Sequence, residues 1–298
     1  MKNIIKFTNY LKYEKNYSEY TIKNYQLDLE QFFKYCQENK IDYQKITYIE
    51  SRNYLNYLYT VENDKATSIS RKISSIRSFY RFLANLNIEN YSFHLLKLPK
   101  KGKRLPKYLE YNEIEELFEI PDLTTPLGER NALILEMLYA SGMRVGELVS
   151  VKVNDINHSS KTIKILGKGN KERIVYYNNI TEKRLKLYLE NGRCHLNKNN
   201  SEYLFLNQQG QKLTTRGVEY ILDQIMKKTA LTKHITPHML RHSFATHLLN
   251  EGCDLLSVQE LLGHESLSAT NVYTHVTNDR IKDIYLKTHP RANKKNKK

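Results

Sequence analysis

Residues 97–107, KLPKKGKRLPK, carry six basic residues, two prolines, one glycine and no acid. The prolines break any helix or central strand, so the chain must divide here into two units that each bury their own core. Both sides are long enough to do so: the chain has 298 residues and 40% hydrophobic content. This reading places one unit at 1–97, a tether at 98–107, a second unit at 108–288 and a basic tail at 289–298. A basic tether between two units suits a protein that closes around a charged rod, because cations laid along phosphates release counterions. The whole chain leans the same way, with 47 Lys plus Arg against 32 Asp plus Glu and a formal charge of +15. Such a balance attracts a polyanion, nucleic acid first, although charge alone also fits a merely soluble basic protein.

Cys36, Cys194 and Cys253 are odd in number, far apart and outside any CxxC pairing. Neither a disulfide framework nor a thiolate zinc site is indicated, and a reducing cytoplasm is the expected compartment. The opening MKNIIKF has no long apolar stretch behind it, and no segment approaches the ~20 apolar residues of a membrane span, so no membrane partner is expected.

The first unit reads as helical. Ile22, Tyr25, Leu29, Phe32, Phe33 and Cys36 recur at helical spacing behind a cap at Ser18, and Thr47 with Glu50 has capping-box spacing. A further helix is expected from about Thr67 to Leu86, with Ile69, Ile73, Ile76, Tyr80 and Leu83 on one face. Arg71, Ser74, Ser78 and Arg81 lie largely opposite. That second face can meet phosphates or simply be solvated. Arg71, Arg77 and Arg81, with Lys101, Lys103 and Arg104 of the tether, are the candidate DNA contacts.

In the second unit Asn112 can cap a helix beginning EIEELF, and Arg130 to Ala140 forms a nearly all-apolar helix, which must be buried. KTIKILGKGNKERIVYY, 161–177, reads as a β-hairpin, and the remainder to Thr288 as helix. The expected fold is therefore mainly α with a small β-hairpin or sheet.

Several segments of this unit carry chemistry. In SGMRVGEL the Ser141–Gly142 break starts a helix with Arg144 and Glu147 in its first turns. The Arg144 fork suits two phosphate oxygens, or else an i,i+3 pair with Glu147. The turn GKGNKER sets Lys168 between glycines, either to reach into a groove or as an ordinary basic turn, and the Walker spacing is absent. In ITPHMLRHSFATHLL, Thr236 can be an N-cap and Pro237 the first helical residue, so His238 and Arg241 share the phosphate-attracting N-terminus of a helix. A metal site through His238, His242, His234 or His247 is the poorer alternative. It lacks the Glu of HExxH, and Arg241 would repel a divalent cation. His242 and His247 read as packing histidines. Finally Asp254 caps a helix that stops at Gly263, His264 follows, and Tyr273 lies nine residues on in GHESLSATNVYTH.

Two arginines, a lysine, two histidines and a tyrosine form a set suited to phosphoryl transfer without a metal. The Arg forks neutralise developing charge, the histidines hold or shuttle protons, Lys168 can protonate the leaving oxygen, and Tyr273 supplies the nucleophile.

These motifs resemble those of the tyrosine recombinases, and among them the Xer recombinases that resolve bacterial chromosome dimers. The resemblance covers essentially the whole chain, through SGMRVGEL, LGKGNKER, HMLRHSFATHLL, LLGH, VYTH and the closing THPRA, and the Lys-rich end beyond THPRA leans to the XerC type. It implies an N-terminal helical, SAM-like core-binding domain and a C-terminal α/β catalytic domain. It further implies an active site of Arg144, Lys168, His238, Arg241, His264 and Tyr273, with Glu147 as an accessory acid. The implied reaction is cleavage and rejoining through a 3′-phosphotyrosyl link and a Holliday junction, with neither metal nor other cofactor. The implied partners are a double-stranded recombination site, a second Xer-type recombinase in a heterotetramer and a DNA translocase as regulator. Residues 278–287, with Ile281, Ile284 and Tyr285 at helical spacing, would be the helix that docks on a neighbour, or would pack on their own domain. A mobile-element integrase or invertase, a type IB topoisomerase and a non-catalytic DNA-binding protein are the competing readings.

Overall fold

The computed structural model describes residues 2–98, 108–167, 172–231, 233–263 and 275–292, the side chains of residues 2 and 275–278 excepted. Lys101, Lys103, Arg104, Lys168, His264 and Tyr273 lie outside the described residues. The chain divides into two compact units, Met1–Arg104 and Leu105–Lys298. Among the described residues no helix is long and apolar enough to cross a membrane.

The first unit is built from helices α1 (Lys2–Asn9), α2 (Glu19–Glu38), α3 (Tyr48–Thr60) and α4 (Ala66–Ala84). Two starts follow from capping chemistry. The Ser18 side chain accepts the Thr21 N–H, and Thr47 with Glu50 closes a reciprocal box at α3. The apolar stripes of α2 and α4 meet in a core that includes Leu29, Phe32, Ile69, Ile73, Ile76 and Tyr80, all at most 1% exposed. Asp28 is buried in α2 without loss because Arg71 pairs with it and the Ser75 hydroxyl donates to it at 3.0 Å. Arg77 donates from Nε to the Phe93 carbonyl at 2.9 Å and from Nη2 to the Leu96 carbonyl at 2.7 Å. Of the three α4 arginines read as DNA contacts, Arg77 thus ties down the segment after α4, Arg71 is half-spent on Asp28, and Arg81 stands exposed.

The second unit wraps further helices around α6 (Pro126–Ser141). This helix begins four residues before the apolar run, because the Thr125 side chain accepts the Gly128 N–H and Pro126 occupies the first turn. It is buried along most of its length, and Arg130 within it is satisfied by the Leu206 carbonyl at 2.8 Å. Helix α5 (Tyr111–Glu119) starts ahead of Asn112, which is not its cap: the Glu113 carboxylate accepts the Glu110 N–H at 2.7 Å and closes the turn earlier. After α7 (Val145–Ser150) come strands β1 (Ile156–Asn157), β2 (Thr162–Leu166) and β3 (Glu172–Tyr176), an antiparallel sheet in the order β1-β2-β3. The short first strand carries too few residues to show alternation and was not expected from the sequence. In the hairpin Ile163 pairs with Val175 and Ile165 with Arg173.

Helices α8 (Asn179–Leu187), α9 (Arg193–Leu196), α10 (Thr215–Met226), α11 (Pro237–Asn250), α12 (Leu255–Leu262) and α13 (His275–Thr288) complete the unit. Residues 197–214 are not helical as expected. Asn200 and Gly210 turn the chain through positive φ, and the buried Leu204–Phe205–Leu206 run instead lies along Val151, whose carbonyl accepts the Leu204 N–H at 2.8 Å. Helix α13 finds its partner surface within its own unit, since Ile281 and Tyr285 are 5% and 1% exposed and belong to the same core as α6. The start of the expected basic tail is also packed: His289 is fully buried, and Arg291 pairs with Glu115 and with the buried Glu136. Ion pairing explains why so polar a segment enters a core.

Candidate active site

Gly142 ends α6 in the left-handed conformation, φ 60°. A Cβ there would lie 2.5 Å from Phe244 Cδ1, so both backbone and space demand glycine. The chain turns sharply and α7 begins at once, with Arg144 as its N-cap. The Glu147 carboxylate accepts the Arg144 backbone N–H at 2.6 Å and the Arg144 guanidinium at 2.9 Å. The i,i+3 pair is therefore formed, but not on an open surface: Glu147 is 6% exposed while the Arg144 side chain is half-exposed.

Arg241 approaches from α11. Its Nη1 donates to the Gly142 carbonyl at 2.5 Å and its Nη2 to the Leu262 carbonyl at 2.7 Å, which ties the end of α6 to the end of α12. Both carbonyls belong to helix C-termini, where partners are otherwise missing and a cation is favoured. Burial, then the charges of Arg144 and Arg173, bring the Arg241 guanidinium down to about 10, so it stays charged at neutral pH. Among the described residues two of its five N–H donors are used on these carbonyls, and a guanidinium so held can still turn other donors to an anion.

His238 is the second residue of α11 and is exposed at the helix N-terminus, where the Thr236 side chain caps Met239. His242, half-buried one turn on, is pushed below its ordinary value by burial and then by His238. His247 is a packing histidine: it is fully buried, shares a 2.7 Å hydrogen bond with the Tyr139 hydroxyl and stacks on Tyr111 at 3.9 Å.

Sequence reasoning missed Arg173. It sits on β3, on the same face as the buried Val175 and opposite the buried Ile165, where an alternating strand calls for an apolar side chain. Its Nη2 reaches Glu147 at 3.0 Å and its Nη1 the Leu261 carbonyl at 2.9 Å. The readable signal was the register itself, which puts a charge on the core face of the hairpin. Burial alone would raise the Glu147 carboxyl, but the Arg144 N–H and the Arg173 and Arg144 guanidiniums together hold it below the usual carboxylate range. Two guanidiniums thus pair with one carboxylate while a third, that of Arg241, is held on the neighbouring Gly142 carbonyl, and the surplus positive charge suits a phosphate diester whose charge grows as it is attacked.

Residues 107–280 match the phage integrase family, and residues 4–86 match the phage integrase N-terminal SAM-like domain. A tyrosine recombinase XerC of Oceanobacillus iheyensis is 49% identical over 292 residues, covering 96% of this chain and 95% of the relative. That of Bacillus subtilis (strain 168) is 46% identical over 302 residues, covering 99% of each. Among solved structures, the XerH site-specific recombinase bound to difH substrate in a pre-cleavage complex matches with a TM-score of 0.69 and 25% identity, over 96% of this chain and 82% of that one.

Proposed function

The chain belongs to the phage integrase family and is a XerC-type tyrosine recombinase, an enzyme of site-specific DNA recombination, and from that premise we propose that Tyr273 is its nucleophile. Arg144, Lys168, His238, Arg241 and His264 complete the centre, with Glu147 as the accessory acid. The observation that carries this reading is the meeting of Arg144 and Arg241 at Glu147 and Gly142, which brings two separate motifs into one cationic site.

In this mechanism the Tyr273 hydroxyl attacks the scissile phosphorus. A P–O bond forms to the tyrosine, the bond to the 5′-oxygen breaks, and Lys168 gives that oxygen its proton. The Arg144 and Arg241 forks bind the non-bridging oxygens, and His238 and His264 hold or move the tyrosine's proton. A 5′-hydroxyl of the partner duplex then attacks the 3′-phosphotyrosyl link and releases the tyrosine. Each phosphodiester is exchanged for another, so neither ATP nor metal is needed, and two such rounds pass through a Holliday junction.

Residues 1–97 act as the core-binding domain and 108–288 as the catalytic domain, with the basic stretch 98–107 lying on the backbone between them. The substrate is a duplex recombination site of the host chromosome in the cytoplasm. The work is resolution of chromosome dimers at cell division, in a heterotetramer with a second Xer-type recombinase under a DNA translocase. The test is incubation of the chain with the host's dimer-resolution site, with and without that second recombinase. A shifted complex, a covalent adduct and exchange dependent on both proteins are expected. Complete exchange by this chain alone would move it to a single-recombinase or mobile-element role. Relaxation of one duplex without exchange would make it a topoisomerase.

A further inference from the structure

Arg173 is a costly residue for its place. Its side chain is 15% exposed, its Nε is buried without a hydrogen-bond partner among the described residues, and its carboxylate, Glu147, is already shared with Arg144. An apolar side chain on this face of β3 would pack the hairpin at least as well, because a buried charge pair seldom outperforms a well-packed hydrophobic one. What an apolar residue could not do is hold two separate elements at once. The Arg173 fork reaches Glu147 on α7 with one nitrogen and the Leu261 carbonyl on α12 with the other. The next carbonyl, Leu262, is held by Arg241, so two guanidiniums grip successive carbonyls at the end of α12. Gly263 follows with φ 65°, and a Cβ on it would stand 2.7 Å from Arg173 Cδ. The close fit leaves no room for another residue there.

We propose that Arg173 is a positioning residue of the recombination centre: by bridging Glu147 and the Leu261 carbonyl it orients Arg144 and fixes the end of α12 immediately before His264. This rests on the assignment of Arg144, Arg241 and His264 to that centre. Arg173 acts through Glu147 and the helix end, not on the phosphate, so its loss weakens the chemical step more than DNA binding. A lysine, with a single ammonium in place of a planar fork, cannot serve both partners in this geometry.

The experiment compares the full wild-type chain with Arg173→Ala, Arg173→Lys, Glu147→Gln and the Arg173→Ala/Glu147→Gln double variant. Gel shift on the recombination site reads affinity, and single-turnover cleavage of a nicked suicide site at saturating DNA reads the chemical step. Arg173→Ala should keep affinity within about 3-fold and lose on the order of 100-fold in cleavage rate. Adding Glu147→Gln to Arg173→Ala should cost less than about 3-fold more, the non-additivity of residues that act as one unit. If the alanine variant fails to fold, Arg173→Lys should show the same split, with a loss on the order of 10-fold. Cleavage by the folded variants at the wild-type rate, independent costs for the two residues, or parallel loss of affinity and rate would each overturn the positioning role. A wild-type chain that forms no adduct would instead overturn the catalytic assignment itself.

Discussion

The Arg241 guanidinium donates to the carbonyl of Gly142 at 2.5 Å, so the residue that ends α6 also seats an arginine proposed to bind phosphate. Replacing Gly142 tests both roles. Gly142→Ala carries roughly 1–2 kcal/mol for a left-handed alanine and about 1–3 kcal/mol for the overlap with Phe244. Denaturant unfolding should show this loss, and cleavage at saturating DNA should fall with the displaced Arg241. An unchanged unfolding midpoint would mean that the turn yields freely.

Arg241→Lys keeps a charge but cannot donate to Gly142, Leu262 and a phosphate together. Affinity for the site should stay within about 10-fold, while the cleavage rate falls on the order of 100- to 1,000-fold, as for loss of a transition-state donor. Single-turnover kinetics on a suicide substrate check this. A loss confined to affinity would make Arg241 an anchor for DNA only.

The carboxylate of Glu136 is 1% exposed, and its ion-pair partner is Arg291, beyond α13. Burial already pushes the Glu136 carboxyl up, with Arg291 opposing. Arg291→Ala should therefore destabilise the chain by roughly 3–5 kcal/mol, the cost of an uncompensated buried charge. Adding Glu136→Leu should recover a large part of it. Thermal melts of the single and double variants decide the matter, and a neutral Arg291→Ala would remove the anchor from the account.

Local signals made much of this fold legible. Ser18, the Thr47–Glu50 box, Asp254 and Gly263 each mark a helix end by a named hydrogen bond or a left-handed residue, and the structure has all of them. The hairpin followed from an alternating strand, a Gly-containing turn and a second strand rich in Ile, Val and Tyr. Contacts between distant segments were less visible. Arg144 and Arg241 were readable as a group from their shared phosphate chemistry and from the resemblance of their motifs to a family's, but nothing in the spacing of residues 144 and 241 places Gly142 under Arg241. Arg173 looked like one more cation in a basic turn until the strand register put it beside Glu147. The apolar stripe of α13 predicted a partner surface without saying whose, and Tyr285 and His289 are buried in their own unit.

His289 is fully buried, and burial, with the charge of Arg291, lowers it to about 3. The unfolded chain binds the proton near the ordinary histidine value of ~6.5, whereas the folded chain refuses it until about pH 3. Its stabilising contribution is therefore full above ~6.5 and is lost as pH falls toward 3, at up to about 1.4 kcal/mol per pH unit. His247, lowered in the same direction chiefly by burial, adds to the trend. Urea midpoints at pH 7.5, 6 and 4.5 should decline for the wild type and decline less for His289→Asn. Equal slopes would mean that His289 is not the group that resists protonation.

In the proposed reaction Tyr273 forms the covalent bond to DNA. Tyr273→Phe deletes only the phenolic oxygen, so it should bind the recombination site like the wild type and form no adduct. The direct measurement is peptide mapping of the adduct trapped by the wild-type chain on a nicked suicide substrate in excess EDTA. A 3′-phosphotyrosyl link on Tyr273 is the predicted result. An adduct on another residue, cleavage by Tyr273→Phe, or an absolute need for a divalent ion would contradict it.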